Sequence, residues 1–198
     1  MNREVAPALA APSRPSVLRR SLSIGIAALI VAISAQVMVP VPFSPVPMTL
    51  QPLAVLAVGG LLGWSAGAGA LLLYLALGVM GFPVFAGGGS GLPHLLGPTG
   101  GYLLAFPVAA GLTGALVRPV IERPGGVSGP GLLRVLIACA LGMAVIHVGG
   151  VAQLALLGGN PAAAFRVGFV PFLTGDILKV GLAAVMIIAA GPKIRSLL

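Results

Sequence analysis

Apolar residues along this chain fall in long blocks separated by short stretches rich in Gly and Pro. Each block has roughly the 20 residues that a helix needs to cross a bilayer. Residues 21–39 predict a first span, and 48–62 and 64–80 a second and third, joined by a short turn at Gly59-Gly60 or Gly63. The second block is short, which suggests a tilted or partly re-entrant segment. Residues 98–117, 133–157 and 171–190 predict a fourth, fifth and sixth span. The reading is an all-α membrane protein with six transmembrane helices in one bundle. A basic, Pro-containing leader over 1–20 precedes the membrane domain over 21–191, and a short basic tail over 192–198 follows it.

Two of the separators are unusual. In PVPFSPVP (residues 40–47) Pro recurs every two or three positions, and each Pro lacks a backbone donor, so the stretch is a loop. Residues 81–97, GFPVFAGGGSGLPHLLG, hold too much Gly and Pro for a regular helix yet carry no full charge. Uncharged non-helical backbone at membrane depth survives where protein buries it or where it lines a cavity. Both loops are expected on the extracellular side.

Composition sharpens the class. Hydrophobic residues make up 58% of the 198 and charged residues only 7%, against roughly 25% charged in soluble domains, and mean hydropathy is +1.13. A water-soluble fold is excluded on these grounds. The net charge of +8 would suggest a polyanion partner in a soluble chain, but its placement points elsewhere. Arg3, Arg14, Arg19 and Arg20 lie in the leader, Arg118, Arg123 and Arg134 between the fourth and fifth spans, and Lys193 and Arg195 in the tail, leaving Arg166 on the other side. The positive-inside rule then sets both termini in the cytoplasm, and no nucleic-acid partner is needed. Cys139 is the single cysteine, which excludes an internal disulfide framework and reads as a small buried apolar residue.

Two charges remain inside a span. Asp176 and Lys179 are three residues apart in the sixth helix and so share a face. A charge at the bilayer centre costs about 2.5–3.5 kcal/mol on insertion scales, so the pair must face the interior. One reading is an ion pair that only joins helices; the other is the polar end of a ligand site. A carboxylate accepts and an ammonium donates, which together match a ligand group offering both N–H and C=O, as a cyclic urea or amide does. Thr49, Gln51, Tyr74, Thr99 and Tyr102 are the other polar candidates in the outer halves of the spans. His94 and His147 are far apart in sequence, with no carboxylate at ligand spacing, so no metal site and no role is assigned to them. No nucleotide-hydrolysis motif is present, so the chain shows no means of hydrolysing a nucleotide itself, and no cofactor is expected.

The runs VPMTLQPLAVLAVGGLLG (46–63), GFPVFAGGGSGLPHLLGPTGGYLLAF (81–106) and GDILKVGLAA (175–184) resemble the BioY family, the biotin-specific substrate-binding component of energy-coupling factor transporters. The resemblance implies a six-helix bundle in the bacterial cytoplasmic (inner) membrane that captures biotin from outside. It also implies that the bundle meets a transmembrane coupling protein and paired ABC-type ATPases, amid membrane lipid. It assigns Asp176 and Lys179 to the vitamin, with Asp176 accepting a ureido N–H and Lys179 donating to an oxygen. It makes the loop bearing Pro40, Phe43 and Pro47 a movable gate, with Gly87 and Gly91 in the second cover. An Ala-x-x-x-Ala pattern on the first helix, Ala28 and Ala32, would meet the coupling protein. A component for another vitamin, or an intramembrane enzyme using Asp176 and Lys179 for proton transfer, are the alternatives.

Overall fold

A computed structural model describes residues 17–123 and 129–197. The leader arginines Arg3 and Arg14 lie outside them. Eight α-helices are found among the described residues: α1 (Val17–Gln36), α2 (Gln51–Leu62), α3 (Trp64–Val79), α4 (Leu92–Leu96), α5 (Gly100–Ile121), α6 (Gly129–Gly158), α7 (Pro161–Gly168) and α8 (Leu173–Leu197). Three of them, α1, α5 and α6, are long and apolar enough to cross a membrane, as is the α7–α8 segment Pro161–Leu197; α2 and α3 are shorter apolar helices.

The boundaries differ from the sequence reading in instructive places. The second block yields a helix only from Gln51, because Met48–Thr49 pair as a short strand, β2, with Met38–Val39, β1, in antiparallel register. Thr49 therefore precedes the helix that it was expected to open. α6 extends back to Gly129 and takes Arg134 into its first turns. The sixth block begins with a single 3-10 turn, Val170–Phe172, and α8 continues past Pro192 to Leu197, so the basic tail is helical. The uncharged 81–97 stretch forms one 3-10 turn, Ala86–Gly88, and the short α4.

α5 is the central element, packing on α2, α3 and α6 and touching α4 and α8. Missing side chains permit this. A Cβ at Gly59 would run into the Ala110 carbonyl, and one at Gly101 into the Gly149 carbonyl. Small residues at such crossings let backbones approach where lipid supplies no hydrophobic drive. Ala28 and Ala32 serve the same purpose inside the chain: Ala28 is 2% exposed in the core, Ala32 packs against that core, and α1 lies on α3 and α2. Ala28 is thus closed to a separate protein, whereas Ala32 is only partly buried. The open face of α1 is instead Leu22, Ile26, Leu29, Ile30 and Ile33.

Arg20, Arg134 and Arg195 gather at one end of the bundle, whereas Arg166 lies on α7. Arg20 donates to Ser65 Oγ at 2.8 Å, Arg134 to the Leu116 carbonyl at 3.2 Å, and Arg195 to the Gly60 carbonyl at 2.8 Å. The β1–β2 hairpin, the 81–97 segment and α7 lie at the opposite end, where the Ser44 hydroxyl donates to the Val167 carbonyl at 2.8 Å.

Candidate functional site

At the hairpin end a cavity opens between the helices. Val46, Pro47 and Thr49 of the hairpin, Gln51 of α2, Thr99 and Tyr102 at the start of α5, and His147 of α6 line it, as do Asp176 and Lys179 of α8. Its remaining walls are largely apolar, including Leu103, Phe106, Ile146 and Phe172, as in most small-molecule pockets.

Asp176 and Lys179 are each 6% exposed, and Lys179 Nζ donates to Asp176 Oδ1 at 2.9 Å. One turn of helix brings the two together, and the position of Asp176 in the first turn of α8 sets its charge near the positive end of the helix dipole. The other carboxylate oxygen is taken by His147, whose Nε2–H donates to Oδ2 at 2.6 Å across the α6–α8 interface. Aromatic rings hold that imidazole: Phe169 edge-on at 4.9 Å, with Tyr102 and Phe172 each at 6.1 Å. His147 and Asp176 also line an apolar groove on the other side, between α6 and α8, so the pair is the partition between cavity and groove.

This trio fixes the carboxylate in orientation without exhausting it. Two of about four lone-pair positions are used, and two of the three ammonium hydrogens of Lys179 remain. Adjacent unused acceptor and donor sites on one wall suit a ligand with N–H and C=O in one ring.

The other sequence candidates divide. Gln51 is buried on the cavity wall, and its Nε2 donates to Tyr74 Oη at 2.7 Å, while Tyr74 donates on to the Val84 carbonyl at 3.2 Å. Tyr74 is fully buried and absent from the cavity lining. That corrects its place as a direct contact: α3 stands behind α2, and the phenol positions Gln51. Thr49 Oγ1 donates to Gln51 Oε1 and accepts from its backbone N–H, both at 3.3 Å. Tyr102 lines the cavity, and its hydroxyl donates to the Gly168 carbonyl at 2.6 Å.

Of the gate residues, Pro47 lines the cavity. Pro40, Phe43, Gly87 and Gly91 do not. Phe43 is 97% exposed at the loop tip with φ +65°, a left-handed conformation uncommon for a bulky residue. From the 81–97 segment, Ala86 and His94 line the cavity instead.

Sequence spacing missed both histidines. His147 lies 29 positions before Asp176, so only the packing of α6 on α8 unites them. A polar residue in the middle of an apolar block was the available signal. Among the described residues no group of three metal-ligating side chains is found. Cys139 is fully buried.

Comparison with known proteins agrees with this architecture. A "Probable biotin transporter BioY" of Pyrococcus horikoshii is 37% identical over 84% of this chain and 94% of its own length. A "Biotin transporter BioY" of Rhizobium etli is 35% identical over 81% of this chain and 86% of its own. A crystal structure of the S-component for biotin from an ECF-type ABC transporter superposes with a TM-score of 0.77 at 26% identity, covering 87% of this chain and 90% of the other. The model of the BioY family matches residues 6–196, and with relatives this similar over most of their length, the chain belongs to the BioY family.

Proposed function

We infer that this chain takes up biotin, as the membrane-embedded substrate-binding subunit of an energy-coupling factor transporter. The observation that carries the site assignment is the buried Asp176–Lys179–His147 trio on the cavity wall. The ureido ring of biotin has two N–H donors and one carbonyl acceptor. Asp176 accepts from the ring N–H groups, Lys179 donates to the ring oxygen, and the apolar walls take the sulfur ring and aliphatic chain. Gln51, Thr49, Thr99 and Tyr102 complete the polar contacts, with Tyr74 supporting Gln51.

Six spans cross the cytoplasmic membrane in this reading, α2 and α3 supplying the two shorter ones and α8 the sixth. The grouping of Arg19, Arg20, Arg118, Arg123, Arg134, Lys193 and Arg195 at one end supports a cytoplasmic location for both termini. The hairpin and the 81–97 segment then face outward and gate the cavity, and Ser44 is their latch to α7. A transmembrane coupling protein and ABC-type ATPases drive delivery inward, with the apolar outer face of α1 as the surface open to the coupling protein. The chain itself is a transporter component, not an enzyme.

Calorimetry with the purified chain tests this directly. Wild-type protein binds biotin, and Asp176→Asn weakens binding by about tenfold to a hundredfold, the effect of losing hydrogen bonds to a charged acceptor. Absence of biotin binding, or an Asp176→Asn variant equal to wild type, overturns the reading.

A further inference from the structure

The Asp176–Lys179 pair occupies one wall of the cavity, and another wall carries a histidine with no assigned role. His94 belongs to α4, which packs on α3 and α5, whereas α8 packs chiefly on α2 and α6. Both nonetheless line the same cavity. The imidazole is fixed in place by its surroundings. Its ring stacks on Phe85 at 5.1 Å and 21°, and Phe85, fully buried, abuts Tyr74 edge-on at 5.5 Å. The bare Cα of Gly89 makes room for its other edge: a Cβ there would come within 2.6 Å of His94 Nδ1.

Held in this way, the ring leaves Nε2 buried with no hydrogen-bond partner among the described residues. A buried polar atom without a partner costs free energy, and native proteins rarely leave one without a reason. Burial also lowers the pKa of His94 below the usual histidine value, and a neutral imidazole has one N–H to offer. Thr99, on the same lining, makes no capping bond with its side chain. The cavity thus has a second polar wall, made of His94 and Thr99, apart from the trio on α6 and α8.

We propose that His94 recognises the carboxylate end of the ligand, with Nε2–H donating to a carboxylate oxygen while Asp176 and Lys179 hold the ring end. This rests on the biotin reading and deepens it, since it names the group that distinguishes the acid from neutral analogues. A donor aimed at an anion makes a charge-assisted bond, roughly twice as strong as a neutral one.

Biotin and biotinol, the alcohol with the same rings and chain, separate the two ends when their binding to the full chain in detergent is compared by calorimetry. Wild type is expected to prefer biotin by about tenfold or more. His94→Ala, and His94→Phe, which keeps a ring on Phe85 but has no N–H, lose that preference, while their affinity for biotinol stays within about threefold of wild type. Biotinol binding by the variants reports that they are folded. A preference for the acid that survives in either variant overturns the assignment, as does wild type binding the two compounds equally. Loss of both compounds in a folded His94→Gln variant overturns it too, because a tail contact does not govern ring recognition. Failure of wild type to bind either compound overturns the biotin reading itself and this inference with it.

Discussion

α8 is tied to the bundle at both of its ends by charged side chains, and the two ties are built differently. At the hairpin end Asp176 accepts from His147 of α6 and from Lys179, all three nearly buried, at 2.6 and 2.9 Å. At the basic end Arg195 spends its donors on the carbonyls of Gly60 and Gly114 and on Glu122 at 2.8, 3.4 and 3.5 Å. Glu122, 47% exposed, also accepts from Arg118 at 3.0 Å. The Arg195 tie is made mostly to backbone: two of its acceptors are carbonyls, Gly60 in the last turn of α2 and Gly114 within α5. The Asp176 tie leaves acceptor and donor positions unused beside a cavity. Similar chemistry makes a structural staple in one place and a recognition surface in the other, and what differs is that only the Asp176 tie borders the cavity.

The largest effect that sharpens this contrast is expected at Lys179. Lys179→Met leaves the Asp176 carboxylate buried with His147 as its remaining partner, and breaking a buried pair in this one-sided way costs about 3–5 kcal/mol. Thermal unfolding in detergent should show a large fall in Tm. The double variant Asp176→Leu/Lys179→Met removes both charges and should recover most of that stability while binding no biotin. A double variant as unstable as the single would mean that the pair is needed for folding rather than for the ligand.

A smaller effect is expected at His147. His147→Phe keeps an aromatic ring among Phe169, Phe172 and Tyr102 but loses the bond to Oδ2, a loss of about 1.5–3 kcal/mol for a bond to a charged group. Biotin affinity should fall and Tm should drop by less than in Lys179→Met. Unchanged binding would show that the carboxylate needs no help from α6. The smallest effect belongs to the exposed side of the other tie. Glu122→Gln should change stability by under about 1 kcal/mol, the usual worth of an exposed ion pair, and leave biotin binding as in wild type. A loss of binding there would break the division of labour between the two ends.

Much of this was legible along the chain because a bilayer punishes polarity so severely. Asp176 and Lys179 stand out in an apolar block, and a helix must turn both to one face. The grouping of basic residues was readable for the same reason. Tyr74 and Gln51 were less so. Spacing identifies them as polar in a span but not which of them meets the cavity, a question that the packing of α3 behind α2 settles in favour of Gln51. The Ala28 and Ala32 pattern marks a face fit for close approach, yet a small residue carries no label for its neighbour, and here the neighbour is within the chain.

The sequence by itself determined the class, the apolar blocks, the bias of basic residues and the two charges that had to face inward, since each follows from transfer free energies read residue by residue. The tertiary structure decided what surrounds those charges. His147 reaches Asp176 from 29 positions away, and Phe85 and Gly89 fix His94 on a different wall of the cavity. Contacts between separate helices depend on crossing geometry, and that geometry is set jointly by small residues such as Gly59, Gly101 and Gly149 where the backbones meet.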